Sequence, residues 1–134
     1  MKNVGLGGFK FLRMWPRKLL QRKDEKGKLA IRVVEELKQP GVYVLYRGDE
    51  LYYVGRAKNL FSRLHDHSNK MTDEYYAHWD YFSAFAADKA VPGERIIELE
   101  AILIAAMPRA TNRAIPRFEK VRIPRSLSPD SDMS

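Results

Sequence analysis

Apolar and polar residues follow one another along this chain in short runs of two kinds, separated by turn-forming residues. Ile31 to Leu37 has helical spacing and stops before Pro40 and Gly41, so it predicts a short helix. Val42 to Tyr46, rich in β-branched and aromatic residues, predicts a strand, and Leu51 to Val54 a second one. Arg47 to Glu50 lies between them, and Gly48-Asp49 is the kind of pair that closes a β-hairpin. A helix is predicted from about Asn59 to Ser68. His78 to Ala86 places Trp79, Tyr81, Ser83 and Phe85 on one face in strict alternation, which predicts a third strand beside the hairpin. Pro92 and Gly93 open a last helix, which runs to about Met107 and stops before Pro108. From Pro116 onward the chain is rich in Ser, Pro and charge, a composition that leaves its end disordered. No internal repeat is visible, and 134 residues suffice for one hydrophobic core. The expected division is a basic arm over 1–34, partly helical or disordered, a folded domain over 35–115, and a tail over 116–134.

The last helix carries an anomaly. With residues about 100° apart around the axis, Ile96, Leu99, Leu103, Ala106 and Met107 share one face, and Glu100 projects from within it. Glu98 points the opposite way. A carboxylate near a core costs several kcal/mol unless it is paired, hydrogen-bonded or bound to a metal, so Glu100 needs a partner. Two readings stand side by side: a buried ion pair with an arginine, and a metal ligand.

Charge adds a second asymmetry. Residues 1–32 hold ten Lys and Arg against Asp24 and Glu25, while the remainder carries 14 bases and 15 acids. The basic segment, with Arg13, Arg17 and Lys18 among its cations, is interleaved with Phe9, Phe11, Trp15 and Leu19. That mixture suits phosphate neutralisation with aromatic stacking. It equally describes a solvated arm, or a basic amphipathic helix on an acidic membrane surface, although Pro16 would break a long helix here. No apolar run reaches the roughly 18 residues needed to span a bilayer and no secretory signal is visible, so a cytoplasmic protein is expected. Without cysteine, and with three histidines at no metal-binding spacing, any catalytic metal would be held by oxygen ligands.

The segment from Gly41 to His67 gathers residues that handle phosphate. Tyr43 and Tyr53 sit in adjacent predicted strands and converge if the register puts both on one face, although each alone reads as a core aromatic. Gly55, Arg56, Ala57 and Lys58 lead into a helix N-terminus, where backbone amides favour an anion. Arg63 and His67, four apart, share a helix face.

Taken in order, Gly41-Val42-Tyr43, Tyr53-Val54-Gly55, Arg63, Glu100 and Asn112 resemble the GIY-YIG nuclease signature. The stretch Tyr53 to Leu60, followed by Arg63-Leu64, is similar to the nuclease module of bacterial excision-repair proteins. Val42 and Val54 replace the two isoleucines of the motif, a loss of one methylene each. The resemblance covers roughly residues 38–115. It implies an α+β fold with a three-stranded antiparallel sheet flanked by helices, and metal-dependent hydrolysis of DNA phosphodiesters. Tyr43 would take the proton from the attacking water, Tyr53 would position phosphate or nucleophile, and Arg63 would fork onto the scissile phosphate. Glu100 would bind a single Mg²⁺ or Mn²⁺, and Asn112 would hydrogen-bond the site or, as a plain loop residue, shape its turn. His67 matches a histidine that some restriction enzymes of the family place near the attacking water, while a surface histidine at a helix end explains it as well. Nothing in 134 residues resembles a second domain that reads base sequence, so specificity would come from DNA structure, from damage or from a protein partner. Two rivals remain: a DNA- or RNA-binding module that keeps the fold without turnover, and an RNA-associated protein whose arm does the binding.

Overall fold

The computed structural model describes residues 8–69, 78–107, 122 and 124–127. Four strands form one antiparallel sheet: β1 (Phe9–Pro16), β2 (Gly41–Arg47), β3 (Glu50–Ala57) and β4 (Tyr81–Ala87), in the order β1-β4-β2-β3. Helix α1 (Leu60–Asn69) follows β3, and α2 (Gly93–Ala105) follows β4. The architecture is α+β as expected, but the sheet has four strands where three were expected.

The added strand comes from the segment read as a basic arm, and an irregularity hides it from a pattern search. Leu12 pairs with Ala84 and Trp15 with Phe82, so β1 spends one residue more than β4 over the same stretch. Such a bulge reverses the alternation of side chains partway along a strand. Met14 sits there with φ at +52°, and its amide donates to the hydroxyl of buried Ser83 at 2.9 Å. Leu12 and Trp15 therefore both serve the same core although they are three positions apart, an odd offset that would put them on opposite faces of a regular strand.

Chain chemistry explains the other elements. The β2–β3 hairpin turns at Gly48, whose φ of +61° a side chain would oppose. Gly41 lets β2 lie against β4, since a Cβ there would run into the carbonyl of Phe85. The helix expected over 31–37 is instead two 3₁₀ turns, Ala30–Val33 and Glu35–Lys38, divided at Val34, which is extended at ψ 97°. Ile31 and Leu37 still bury, whereas Val33 is 71% exposed.

Two cores flank the sheet. On one face Tyr43, Leu45, Phe82, Ala84 and Ala86 meet α1 through Leu60 and Leu64, and the 3₁₀ segments through Leu20, Ile31 and Leu37. On the other, Val42, Val44, Val54 and Phe85 meet α2 through Ile96, Leu99, Leu103 and Ile104, with Met107 just beyond the helix. Ala106, expected on the packed face, is exposed. Trp79 was expected to share a face with Phe85, but it precedes β4 and packs edge-on against Phe82 in the first core. Among the described residues no helix is long and apolar enough to cross a membrane.

Candidate active site

The edge strand β3 and the helices on either side of it enclose a cleft of about 680 Å³ lined by Tyr43, Tyr53, Arg56, Lys58, Arg63 and Glu100. Every one of these was singled out in the sequence, and the fold draws them from β2, β3, the β3–α1 connection, α1 and α2. Pro40, Val91, Ile96 and Ile97 add an apolar wall, which no motif announced.

Register creates the tyrosine pair. Tyr43 lies opposite Gly55 and Leu45 opposite Tyr53, so the two phenols are diagonal neighbours on one face, stacked with centroids 6.1 Å apart. Gly55 makes this arrangement possible. A Cβ at that position would fall 2.5 Å from Tyr43 Cζ, so only a glycine lets the phenol lean across the edge strand into the cleft. The second glycine of the motif is therefore a clearance, not a turn.

Behind the phenols lies His67. Its Nε2 is 2.9 Å from the Tyr43 hydroxyl, and its ring is tilted against that of Tyr43 at 5.5 Å between centroids. His67 is only 2% exposed, so a surface histidine at a helix end is not what the fold contains. The α1 stripe of Leu60 and Leu64 carries His67 inward with it, while Arg63 remains exposed at the cleft.

The start of α1 departs from the anion-binding expectation. The side-chain carbonyl of Asn59 accepts from the Ser62 amide at 3.0 Å, a side-chain cap, and the Leu60 amide donates to the carbonyl of Gln39 at 3.0 Å. Two of the first-turn amides are thus already used, and the cations that face the cleft are side chains: Arg56, Lys58 and Arg63.

Glu100 has found a partner. Its Oε1 lies 3.0 Å from Arg56 Nε, across the cleft from α2 to β3, with side-chain exposures of 20% for Glu100 and 47% for Arg56. Burial pushes the Glu100 carboxyl above its ordinary value, and Arg56 opposes that shift by charge and by hydrogen bond. Glu98, on the outer face, makes only a loose 4.0 Å contact with Arg95. The face assignment of the two carboxylates therefore holds, and the arginine-pair reading of Glu100 has a named partner. A metal ion is compatible with the same group: one carboxylate on a cleft wall, beside open space, suits an ion that keeps several waters. Among the described residues no three His, Asp or Glu cluster as a ready-made metal site.

Of the remaining predicted residues, Arg13, Arg17 and Lys18 do not line the cleft. Arg17 turns toward the protein, donating to the carbonyls of Trp79 at 3.1 Å and Ser68 at 2.7 Å and stacking over the Trp79 ring at 4.7 Å. These contacts make it a buttress, and it lines no part of the cleft; burial lowers its pKa, with Asp80 opposing. Arg13 and Lys18 are exposed, on β1 and on the 3₁₀ turn after it. Asn112 falls outside the described residues.

No protein-family model matches the sequence, and no curated protein does. Two solved structures are similar to it, both of the GIY-YIG N-terminal endonuclease domain of UvrC from Thermotoga maritima. Each is a tyrosine-to-phenylalanine point mutant bound to the catalytic divalent cation. One is 26% identical with a TM-score of 0.48, the other 24% identical with a TM-score of 0.46. The similarity extends over 68% of this chain and 99% of those domains.

Proposed function

We propose that this chain is a divalent-metal-dependent endonuclease that hydrolyses DNA phosphodiesters, with its catalytic groups in the cleft at the β3 edge. The observation that carries the proposal is the convergence of two tyrosines, three cations and a half-buried carboxylate in one cleft. Their order along the chain also follows the GIY-YIG signature.

Arg63 and Lys58 neutralise the phosphate, and the guanidinium of Arg63 forks onto two of its oxygens. Tyr43 is the general base. A phenol has an ordinary pKa of about 10 and holds its proton at neutral pH, so it needs an acceptor of its own. His67 Nε2, 2.9 Å away, is that acceptor. The phenol proton passes to the imidazole, and the phenolate oxygen takes the proton of the attacking water. Tyr53, stacked on Tyr43, keeps the phenol facing the phosphate. Glu100 is the ligand for Mg²⁺ or Mn²⁺, which when bound supplies a positive charge to the oxyanion that develops as the phosphodiester breaks. Asn112, beyond the described residues, and the exposed Arg13 and Lys18 are proposed as further DNA contacts. A protein partner would supply any base specificity.

The Arg56–Glu100 pair also favours a second reading, a non-catalytic DNA-binding module in which the two charges only tie α2 to β3. A supercoiled-plasmid assay with Mg²⁺ separates the two. We expect Glu100→Gln to reduce nicking by roughly a thousandfold and Arg63→Lys to reduce it substantially, because a bidentate clamp is lost. Glu98→Gln on the outer face should cut like the parent. Identical traces for all four proteins would sink the enzyme reading and leave the binding module.

A further inference from the structure

One guanidinium serves two places in the cleft. Arg56 Nε lies 3.0 Å from Glu100 Oε1, and the same side chain lines the space beside Tyr43 and Lys58 where a phosphodiester would sit. Its 47% exposure leaves room for it to turn from one to the other. Glu100 is the carboxylate that lines this cleft, and no cluster of three or more His, Asp or Glu among the described residues offers an ion a competing seat. A carboxylate held by a guanidinium has committed an oxygen, and a cation approaching it meets a like charge.

We infer that Arg56 is a stand-in cation: it occupies Glu100 while the cleft is empty, moves to the phosphate when DNA enters, and so releases the carboxylate to the divalent ion. This positioning role rests on the nuclease reading of the site. Phosphate offers the guanidinium two oxygens in the geometry of its fork, whereas at Glu100 the Nε of Arg56 faces one carboxylate oxygen, Oε1, at 3.0 Å. The entering phosphate also adds oxygen ligands for an ion that one carboxylate holds weakly. Cation and DNA must then bind cooperatively, and by linkage each raises the affinity for the other by the same factor. The free protein binds metal poorly, and the site completes itself on its substrate.

The test is a Mn²⁺ titration of the full chain, with free ion followed by electron paramagnetic resonance, without and with a short DNA duplex. All proteins carry Tyr43→Phe so that the duplex survives. Without DNA, Arg56→Gln should bind Mn²⁺ about tenfold more tightly than the parent, and the gain on adding DNA should shrink. Arg95→Gln removes a cation from α2, the helix that carries Glu100, where Arg95 pairs with Glu98 instead, and should leave the affinity within about twofold, since exposed charges are well screened. Equal or weaker binding by Arg56→Gln overturns the stand-in role, as does an equal gain from Arg95→Gln. A Glu100→Gln control distinguishes the failures. If it loses Mn²⁺ while Arg56→Gln is unchanged, only the stand-in role falls. If it binds Mn²⁺ like the parent, the metal site falls and takes the stand-in role with it.

Discussion

Arg17 and Arg56 flank opposite edges of the same sheet and both were expected to hold phosphate, yet the fold uses them differently. Beyond β1, Arg17 spends its donors on the carbonyls of Trp79 and Ser68 and lays its plane on the Trp79 ring. Backbone carbonyls do not leave, so that guanidinium is fixed. On β3, Arg56 holds one carboxylate oxygen at the rim of an open cleft, and a carboxylate is a partner that another cation can replace. The use of an arginine is thus set less by its place in a basic run than by whether its partners can be exchanged.

Four substitutions probe that contrast. The largest effect is expected at Gly55→Ala, because the new methyl meets the Tyr43 phenol and pushes it from the cleft. Plasmid nicking should fall by roughly a hundredfold, the scale of a small misplacement of a reacting group. Retention of full activity would show that Tyr43 does not need its present position. Arg56→Gln comes next and should lose nicking by roughly ten- to a hundredfold, as when one electrostatic donor is removed from a reacting centre. Its melting temperature should barely move, since exposed ion pairs contribute about 0–1 kcal/mol.

Arg17→Ala should do the reverse. Two carbonyls lose a charged donor and a tryptophan loses its cation, so unfolding by urea should report a loss of about 1–2 kcal/mol. Nicking below the melting transition should persist. If Arg17→Ala proved fully stable but cleavage-deficient, the contrast between the two edges would be wrong.

The smallest effect is expected in the basic turn after β1. Asp24 accepts from the amides of Lys26 and Lys28 and pairs with Arg32, and the Lys28 amide above all holds its carboxyl below the ordinary value of 3.8. A depressed folded pKa gives stability that is present above the unfolded value and lost as pH falls through the folded one. Asp24→Asn should therefore lower the melting temperature slightly at pH 7 and lose its effect once the solution is acid enough to protonate Asp24 in both states. An effect that grew on acidification would reverse the sign of this account.

Much of the site is legible in the sequence. The hairpin, both helices and the orientation of Glu100 relative to Glu98 follow from period and turn chemistry, which act over a few residues. β1 escaped because a bulge at Met14 breaks the alternation on which strands are recognised, and because its cations suggested solvent. The short helix before β2 escaped for a related reason: Ile31 and Leu37 are buried, but Val34 is extended between them, so two tight turns meet the same apolar demand. The helix N-terminus of α1 looked open to an anion because Gln39, the acceptor for its first amide, is far from it in sequence.

The sequence by itself determined which side chains were available to the cleft and, through the glycine at 55 and the apolar stripe of α2, two of the places where they would meet. Only the tertiary structure decided who their partners were. His67 reaches Tyr43 across 24 residues, Arg17 reaches Ser68 and Trp79 across 51 and 62, and Glu100 reaches Arg56 from a different element. Periodicity states which way a side chain points within its own element. Distance, burial and the choice between a fixed and an exchangeable partner arise only when the sheet brings its edges and helices together.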